Sequence, residues 1–439
     1  MSFLAADRDL ARNSYYVASA PRTLSFAPLD GTIDCDVAIV GGGLAGLSAA
    51  IELADRGKQV VLLEARDVGW GASGRNGGQV IAGLACDISS IEAVLGLDEA
   101  RRIWSMTLEG LDILRVRRAR FDIDCDWRPG FLSVAVNAKK ARELRRWHDD
   151  MARLYGHDTA WIAPRELPQW LASPRYHSGL HDPTGGHLHP LKYSLGLARA
   201  AAQLGVRIHE RSPVVALDAQ ARPRVRTPRG EVRADQLVLA GNVYLQGIAP
   251  ALEARIMPVG TYIVASEALD PALAQSLIPS QAAVSDTNFV LDYFRLTPDH
   301  RMLFGGRISY STATPLNLED SMQRRMAATF PALRDTRIEY AWGGFVDISM
   351  NRAPDFGRLS DIVDGPRGLA DVFYLQGFSG HGLALTGLAG RLVAEAIDGN
   401  SSRFDTFARI RHRPFPGGRL LRMPALVAGM AYYRLKDLL

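Results

Sequence analysis

The chain has 439 residues, 47% hydrophobic and 22% charged, with 51 Lys and Arg against 47 Asp and Glu for a net charge of +4. A chain this long buries about three-quarters of its unfolded surface, which excludes a peptide, a disulfide miniprotein or a single-motif fold and favours two connected domains. The basic excess is local: residues 401–439 carry +6 and leave the remainder near −2, unlike the broad basic footprint of a nucleic-acid binder.

The first fifteen residues contain Asp7, Arg8, Asp9 and Arg12. They lack the apolar core of a signal peptide. Residues 1–33 read as an irregular lead-in. Asp36–Val40 reads as a short buried strand and Leu44–Asp55 as a helix, with apolar residues at Leu44, Leu47, Ile51 and Ala54. Gly57 follows, where helices stop. Gln59–Leu63 is a second buried strand, ending in Glu64. This is one βαβ unit of about 30 residues.

Further on, 88–120 and 139–155 read as helices around a strand at Phe131–Val136. Leu191–Gln203 reads as a helix, with strands at Val206–His209 and Val232–Ala240. From 256 to 347 short alternating strands suggest an antiparallel sheet. A strand at Val372–Leu375, a glycine-rich turn and a helix at Leu383–Ile397 follow. No run reaches the ~18–20 apolar residues of a membrane span. Cys35, Cys86 and Cys125 are widely spaced with no CxxC. That is neither a disulfide framework nor a zinc ribbon, and free thiols fit a reducing compartment. The expectation is a soluble cytoplasmic protein.

Gly41-Gly42-Gly43-Leu44-Ala45-Gly46 fits GxGxxG in its required setting, after a strand, opening a helix, with Glu64 ending the next strand. Gly41 allows the tight turn, Gly43 lets a pyrophosphate approach the backbone, and Gly46 lets the helix pack closely. The helix N-terminus stabilises the phosphate charge. Glu64 suits ribose hydroxyls and disfavours a 2′-phosphate. A second glycine-dense loop, Gly69-Trp-Gly71-Ala72-Ser73-Gly74-Arg75-Asn76-Gly77-Gly78-Gln79, favours FAD over NAD, because backbone must also approach an isoalloxazine. Ala234–Asn242 is a strand running into a small-residue turn at Gly241. Gln376-Gly377-Phe378-Ser379-Gly380-His381-Gly382 precedes Leu383 and makes a second helix-N-terminal dipole site.

These motifs resemble the FAD-dependent, D-amino-acid-oxidase-like amine oxidase superfamily. Within it, the chain is similar to the γ-glutamylputrescine oxidases over nearly its whole length. The stretches are Ser14-Tyr15-Tyr16, Gly71–Gln79, Ile123–Asp126, Gly185–Pro190, Ala240–Tyr244, Leu291–Thr297 and Pro414–Gly418. The resemblance implies an α/β two-domain flavoprotein, with a Rossmann-like FAD domain and an inserted antiparallel substrate-binding sheet. The expected FAD domain is discontinuous, at 34–86, 160–250 and 350–412. The substrate domain is expected at 87–159 and 251–349, and a basic tail helix at 413–439. That helix is a candidate oligomer contact. Ala65, Arg66 and Val214 join the motif residues as implied cofactor contacts.

The implied reaction is oxidation of an amine C–N bond by hydride transfer to FAD, giving aldehyde, ammonia and, with dioxygen, hydrogen peroxide. The partners are a small-molecule amine and dioxygen. An apolar wall is needed to lower the ammonium pKa, and Tyr262, Tyr293 and Trp342 are candidates. His381 is expected near the flavin. Arg75, Arg295 and Arg307 are candidates for holding a substrate carboxylate.

Some relatives carry a lysine near the flavin, but none lies between Lys192 and Lys436 here. Nor is there a cysteine after Cys125 for covalent attachment, so non-covalent FAD is expected. His181, His187 and His189 include an HxH pair but lack acidic or thiol partners, so no metal is expected. The alternatives are a flavin dehydrogenase reducing a quinone or carrier, and a non-catalytic FAD-binding subunit.

Overall fold

The computed structural model describes Leu10, residues 13–309 and residues 317–416, with 307–309 described as backbone alone. The tail-helix expectation lies outside the described residues from 417 onward.

Two sheets organise the chain. In the first, the strands Val372–Gln376, Gly230–Leu239, Gly31–Val40, Val60–Leu63 and Arg207–His209 lie side by side and parallel. Asp355–Arg358 adds antiparallel at one edge, and a hairpin of Ala216–Asp218 and Arg224–Arg226 joins Gly230–Leu239. The central strands are apolar on both faces, as a covered parallel sheet requires. Leu44–Asp55 forms the expected helix.

Gly382–Ile397 packs against it. Gly390 permits the approach, since a Cβ there would stand 2.5 Å from the Ala49 nitrogen.

The second sheet runs Ile338–Ser349, Ile256–Ser266, Met302–Ser309, Tyr293–Leu296, Ala283–Asp286, Arg128–Ala135, Ser178–His187 and Gln79–Val80. All neighbours are antiparallel except Ala283–Asp286 with Arg128–Ala135. One face is sealed by Phe294, Phe304 and Phe330, with Phe294 stacked on Phe304 at 5.5 Å. Among the described residues, no helix is long and apolar enough to cross a membrane.

Three sequence expectations change. The segment 160–187, assigned with the first sheet, joins the second, because Ser178–His187 pairs along Arg128–Ala135 and Ala160–Ile162 pairs on its other edge. The 88–120 helix is two helices, Ile88–Leu95 and Leu97–Arg120, broken at Gly96 with φ +86°. And Leu97–Arg120, assigned with the substrate region, packs on Gly382–Ile397 of the first layer.

A buried ion cluster fixes that last contact. Arg117 lies 3.0 Å and Arg391 3.2 Å from Glu52. Burial opposes the Glu52 charge, but the two arginines outweigh it and hold the carboxyl below its usual range. Removing one member of a buried pair leaves an uncompensated charge. Glu52→Ala is therefore expected to destabilise the protein by about 3 kcal/mol or more, read as a lower midpoint of chemical unfolding.

Candidate active site

The carboxyl ends of the first sheet converge on the Gly41–Gly46 turn. Gly41 has φ +116°, and a Cβ there would stand 2.5 Å from the Ala240 carbonyl oxygen. At Gly46 a Cβ would stand 2.0 Å from the Gly41 carbonyl oxygen. Neither position admits a side chain. Gly43 is the N-cap of Leu44–Asp55, and the Ser73 hydroxyl accepts a 2.9 Å hydrogen bond from the Leu44 N–H. The second glycine loop is thus tied to the helix N-terminus.

Glu64 accepts from the Gly42 N–H at 2.7 Å and the Arg66 N–H at 2.8 Å. Burial pushes its carboxyl pKa up, and those two donors oppose the push. Asn76 holds the 72–78 loop in shape. Its amide donates to the Ala72 and Ser73 carbonyls, and its oxygen accepts from the Gly78 N–H.

These pieces line a cavity of about 240 Å3. Of the expected cofactor residues, Gly41, Gly43, Leu44, Ala45, Glu64, Ala65, Gly71, Ala72, Ser73, Asn76, Gly77, Gly78, Gln79, Val214, Gly241, Gly380, His381, Gly382 and Leu383 border it. Gly46, Arg66, Arg75, Gly377 and Ser379 do not: Gly46 packs against the Gly41 carbonyl, the Arg66 N–H orients Glu64, and Arg75 borders the neighbouring cavity instead. Gly377 and Ser379 shape the turn before the last helix, the Ser379 hydroxyl donating to the Gly377 carbonyl at 3.1 Å. Glycine turn, helix N-terminus and adjacent carboxylate fit a dinucleotide whose pyrophosphate meets backbone N–H groups.

Sequence reasoning missed Trp70, Tyr244 and Asp347, which also border this cavity. Trp70 meets Tyr244 edge-on at 5.8 Å, and the Arg75 guanidinium lies 4.1 Å from the Trp70 ring centre. Trp70 had a signal, standing between two glycines of the loop. Asp347 is buried, and its carboxylate accepts from the Gly377 N–H and from the Phe378 N–H at 3.2 Å. Burial pushes its pKa up to about 6. It ties the second sheet to the 377–382 turn. No local pattern announces it.

A second cavity, about 520 Å3, adjoins the first through Ala72, Asn76, Gly77, Gln79, Ile81, Val346, Gly380 and His381, which border both. It lies against one face of the second sheet. Tyr293 borders it, and two glycines make room for the ring: a Cβ at Gly77 or Gly305 would stand 2.6 or 2.1 Å from it. The His381 Nε2–H donates to the Ala82 carbonyl at 2.9 Å. Burial lowers its pKa, which leaves a neutral ring with its lone pair on Nδ1.

The other candidates lie elsewhere. Tyr262 is buried in the core on the opposite sheet face, under Gly343, where a Cβ would stand 2.8 Å from its ring. Trp342 is buried against Tyr16, and its indole N–H donates to the Arg75 carbonyl at 3.0 Å. Neither borders the cavities. Arg295 is buried and donates to the Gly77 and Leu188 carbonyls and the Tyr16 hydroxyl. It is a bracket between layers rather than a carboxylate anchor. The Arg307 side chain lies outside the described residues. Arg75 borders the second cavity, as does Arg352, which sequence reasoning did not single out.

The histidines have protein partners. His187 Nε2 donates to the Gln281 carbonyl, His189 Nε2 meets the Ser19 hydroxyl, and His181 lies against Trp170. Among the described residues, no group of three or more His, Cys, Asp or Glu is placed to hold a metal.

The family model DAO, FAD dependent oxidoreductase, matches residues 36–396. The gamma-glutamylputrescine oxidoreductase of Escherichia coli is 43% identical over 426 residues, 97% of this chain and 98% of that protein. A probable oxidoreductase, OrdL, of Haemophilus influenzae is 38% identical over 430 residues, 97% of each chain. The crystal structure of glycine oxidase from Geobacillus kaustophilus superposes with a TM-score of 0.69 over 83% of this chain and 95% of that one, at 22% identity, and shares the fold. The chain belongs to the DAO family of FAD-dependent oxidoreductases.

If the glycine turn holds the cofactor, a side chain at position 41 must displace backbone. Gly41→Val is expected to yield protein lacking the visible flavin absorbance, with little FAD regained on incubation with excess cofactor.

Proposed function

We propose that this FAD-dependent oxidoreductase oxidises the terminal primary amine of an acylated polyamine, with γ-glutamylputrescine as substrate. The observation that carries the reading is the second cavity. It is about 520 Å3, shares lining with the cofactor cavity around His381, and is walled by Ile81, Phe131, Leu180, Leu291 and Tyr293. The 43% identity to the E. coli enzyme over nearly the full length supports the substrate. In this reading the first sheet carries the cofactor and the second sheet the substrate.

An alkylammonium holds its nitrogen lone pair in an N–H bond, so the amine must be neutral before hydride leaves the α-carbon. Two features of the cavity favour the neutral form: apolar walls and the nearby cations Arg75 and Arg352. His381, held by Ala82, presents Nδ1 as an acceptor for an amine N–H. Tyr293, wedged between Gly77 and Gly305, sets the height of the substrate chain. Bound FAD supplies the two-electron acceptor. The imine then takes up water and splits to the aldehyde and ammonia. Non-covalent binding accords with the cysteines: Cys125 is buried away from both cavities, and burial pushes the Cys86 thiol up to about 11.

One observation favours a second reading on the acceptor. No lysine borders either cavity among the described residues, so electrons passing to a quinone or carrier is the alternative to dioxygen.

Anaerobic γ-glutamylputrescine is expected to bleach the flavin, and air to restore it with hydrogen peroxide. Bleaching with slow return in air would support the other acceptor. No bleaching would remove this substrate. The amine requirement also gives a pH profile. His381, already neutral, does not titrate above its lowered pKa. Thus kcat/KM is expected to climb from about pH 7 to about pH 9 as more substrate amine is neutral. Tyr293→Ala is expected to lower kcat/KM by about 100-fold while FAD stays bound, since a misplaced reacting carbon costs about that much.

A further inference from the structure

The second cavity contains, on a strand three steps from that of Tyr293, an acid that the proposed chemistry does not use. Strand alternation places it. On Ser178–His187, Leu180 and Asp182 face the cavity, while His181 between them lies on the other face against Trp170. They pair with Ser133 and Phe131 of the neighbouring strand, which also border the cavity. Trp104 and Trp147 border the same cavity from the helices Leu97–Arg120 and Ala138–Tyr155, edge-on at 6.4 Å.

The Asp182 carboxylate is oriented. One oxygen accepts from His157 Nε2–H at 3.0 Å, and the other from the Thr184 N–H and hydroxyl at 2.8 and 2.6 Å. Burial works against its charge, but those donors outweigh it and keep the carboxyl below its usual range. The side chain retains 14% exposure, and each oxygen keeps acceptor capacity. The other acid bordering the cavity, Asp87, is an exposed helix cap whose carboxylate accepts from the Ser89 N–H at 2.9 Å. The apolar cavity therefore carries charge of both signs: the cations Arg75 and Arg352, and a fixed anion flanked by two indoles at the Asp182 corner.

We propose that Asp182, with Trp104 and Trp147, forms a subsite for a second ammonium on the substrate, one that keeps its charge when bound and lies distal to the amine that is oxidised. It orients the molecule by charge. A substrate entering backwards would put its α-ammonium beside Arg75 and Arg352, where like charges repel it. The spacing agrees. From the strand of Tyr293 to that of Asp182 is three strand steps, about 14 Å. From the terminal amine to the α-ammonium of γ-glutamylputrescine is about 12 Å extended. This rests on the proposed amine oxidation and names the feature of the substrate that it selects.

The test compares γ-glutamylputrescine with the glutarate monoamide of putrescine, which lacks only the α-ammonium. The wild-type enzyme is expected to favour the former in kcat/KM by about tenfold or more. Asp182→Asn is expected to erase that preference, chiefly through KM, while activity on the monoamide stays within about twofold of wild type. Equal losses on both compounds would overturn the subsite, as would a wild type that does not discriminate. Should Asp182→Asn lose FAD or fail to fold, Trp147→Leu decides on the same ratio, with a smaller expected drop. If the wild type bleaches with neither compound, the proposed reaction is wrong. The subsite is then judged by calorimetric binding of the two compounds to holoenzyme, where equal affinities would overturn it.

Discussion

At the end of the first strand, two carbonyl groups leave no room for a side chain. The Ala240 oxygen closes on position 41 and the Gly41 oxygen on position 46. This crowding brings the strands Gly31–Val40 and Gly230–Leu239 and the helix Leu44–Asp55 to one point. The helix N-terminus, Glu64 and the 71–79 loop are arranged from there, the loop through the Ser73 bond to Leu44. The cofactor cavity is the space these constraints leave open. Even the second layer depends on it: Gly77 makes room for Tyr293 and its carbonyl accepts from Arg295, while Arg75 caps Trp342.

The same economy links the layers from the other side. Asp347 reaches from the end of a long strand of the second sheet to the Gly377 and Phe378 N–H groups. It thereby fixes the turn that carries His381. The second cavity is then framed by a sheet face and by two helices, of which Leu97–Arg120 is seated by the Glu52–Arg117–Arg391 cluster. Its electrostatics follow from which strand ends meet it. The Arg352 corner lies just beyond Ile338–Ser349, and the Asp182 corner lies near the opposite edge of the sheet.

How much of this could be read from sequence depended on whether the signal was local. The glycine turn, its helix and the acid ending the second strand are one contiguous pattern, and the helix bounds 44–55 were legible to the residue. The aromatic wall was not. In Ile256–Ser266 the cavity takes Val259 and Thr261, so Tyr262 falls on the other face. Residue type says nothing of that parity. Trp342 shares parity with Gly344 and Val346 but lies past the cavity's end, under Arg75. Arg295 looked available because its partners are carbonyls far away in sequence. Asp182 went unnoticed beside a more conspicuous HxH pair, and it gains meaning only when His157, Thr184 and two tryptophans from separate elements gather around it.

The proposed reaction needs one continuous cavity that joins the cofactor to a substrate held by charge at Asp182. The decisive measurement is a crystal structure of the FAD-bound enzyme, reduced and kept anaerobic with γ-glutamylputrescine. The expected arrangement has the flavin ring at the junction lined by Gly77, Gln79 and His381, the terminal amine beside it, and the α-ammonium within hydrogen-bond reach of Asp182. A flavin ring outside that junction, or a ligand with its γ-glutamyl end toward the cofactor, would contradict it.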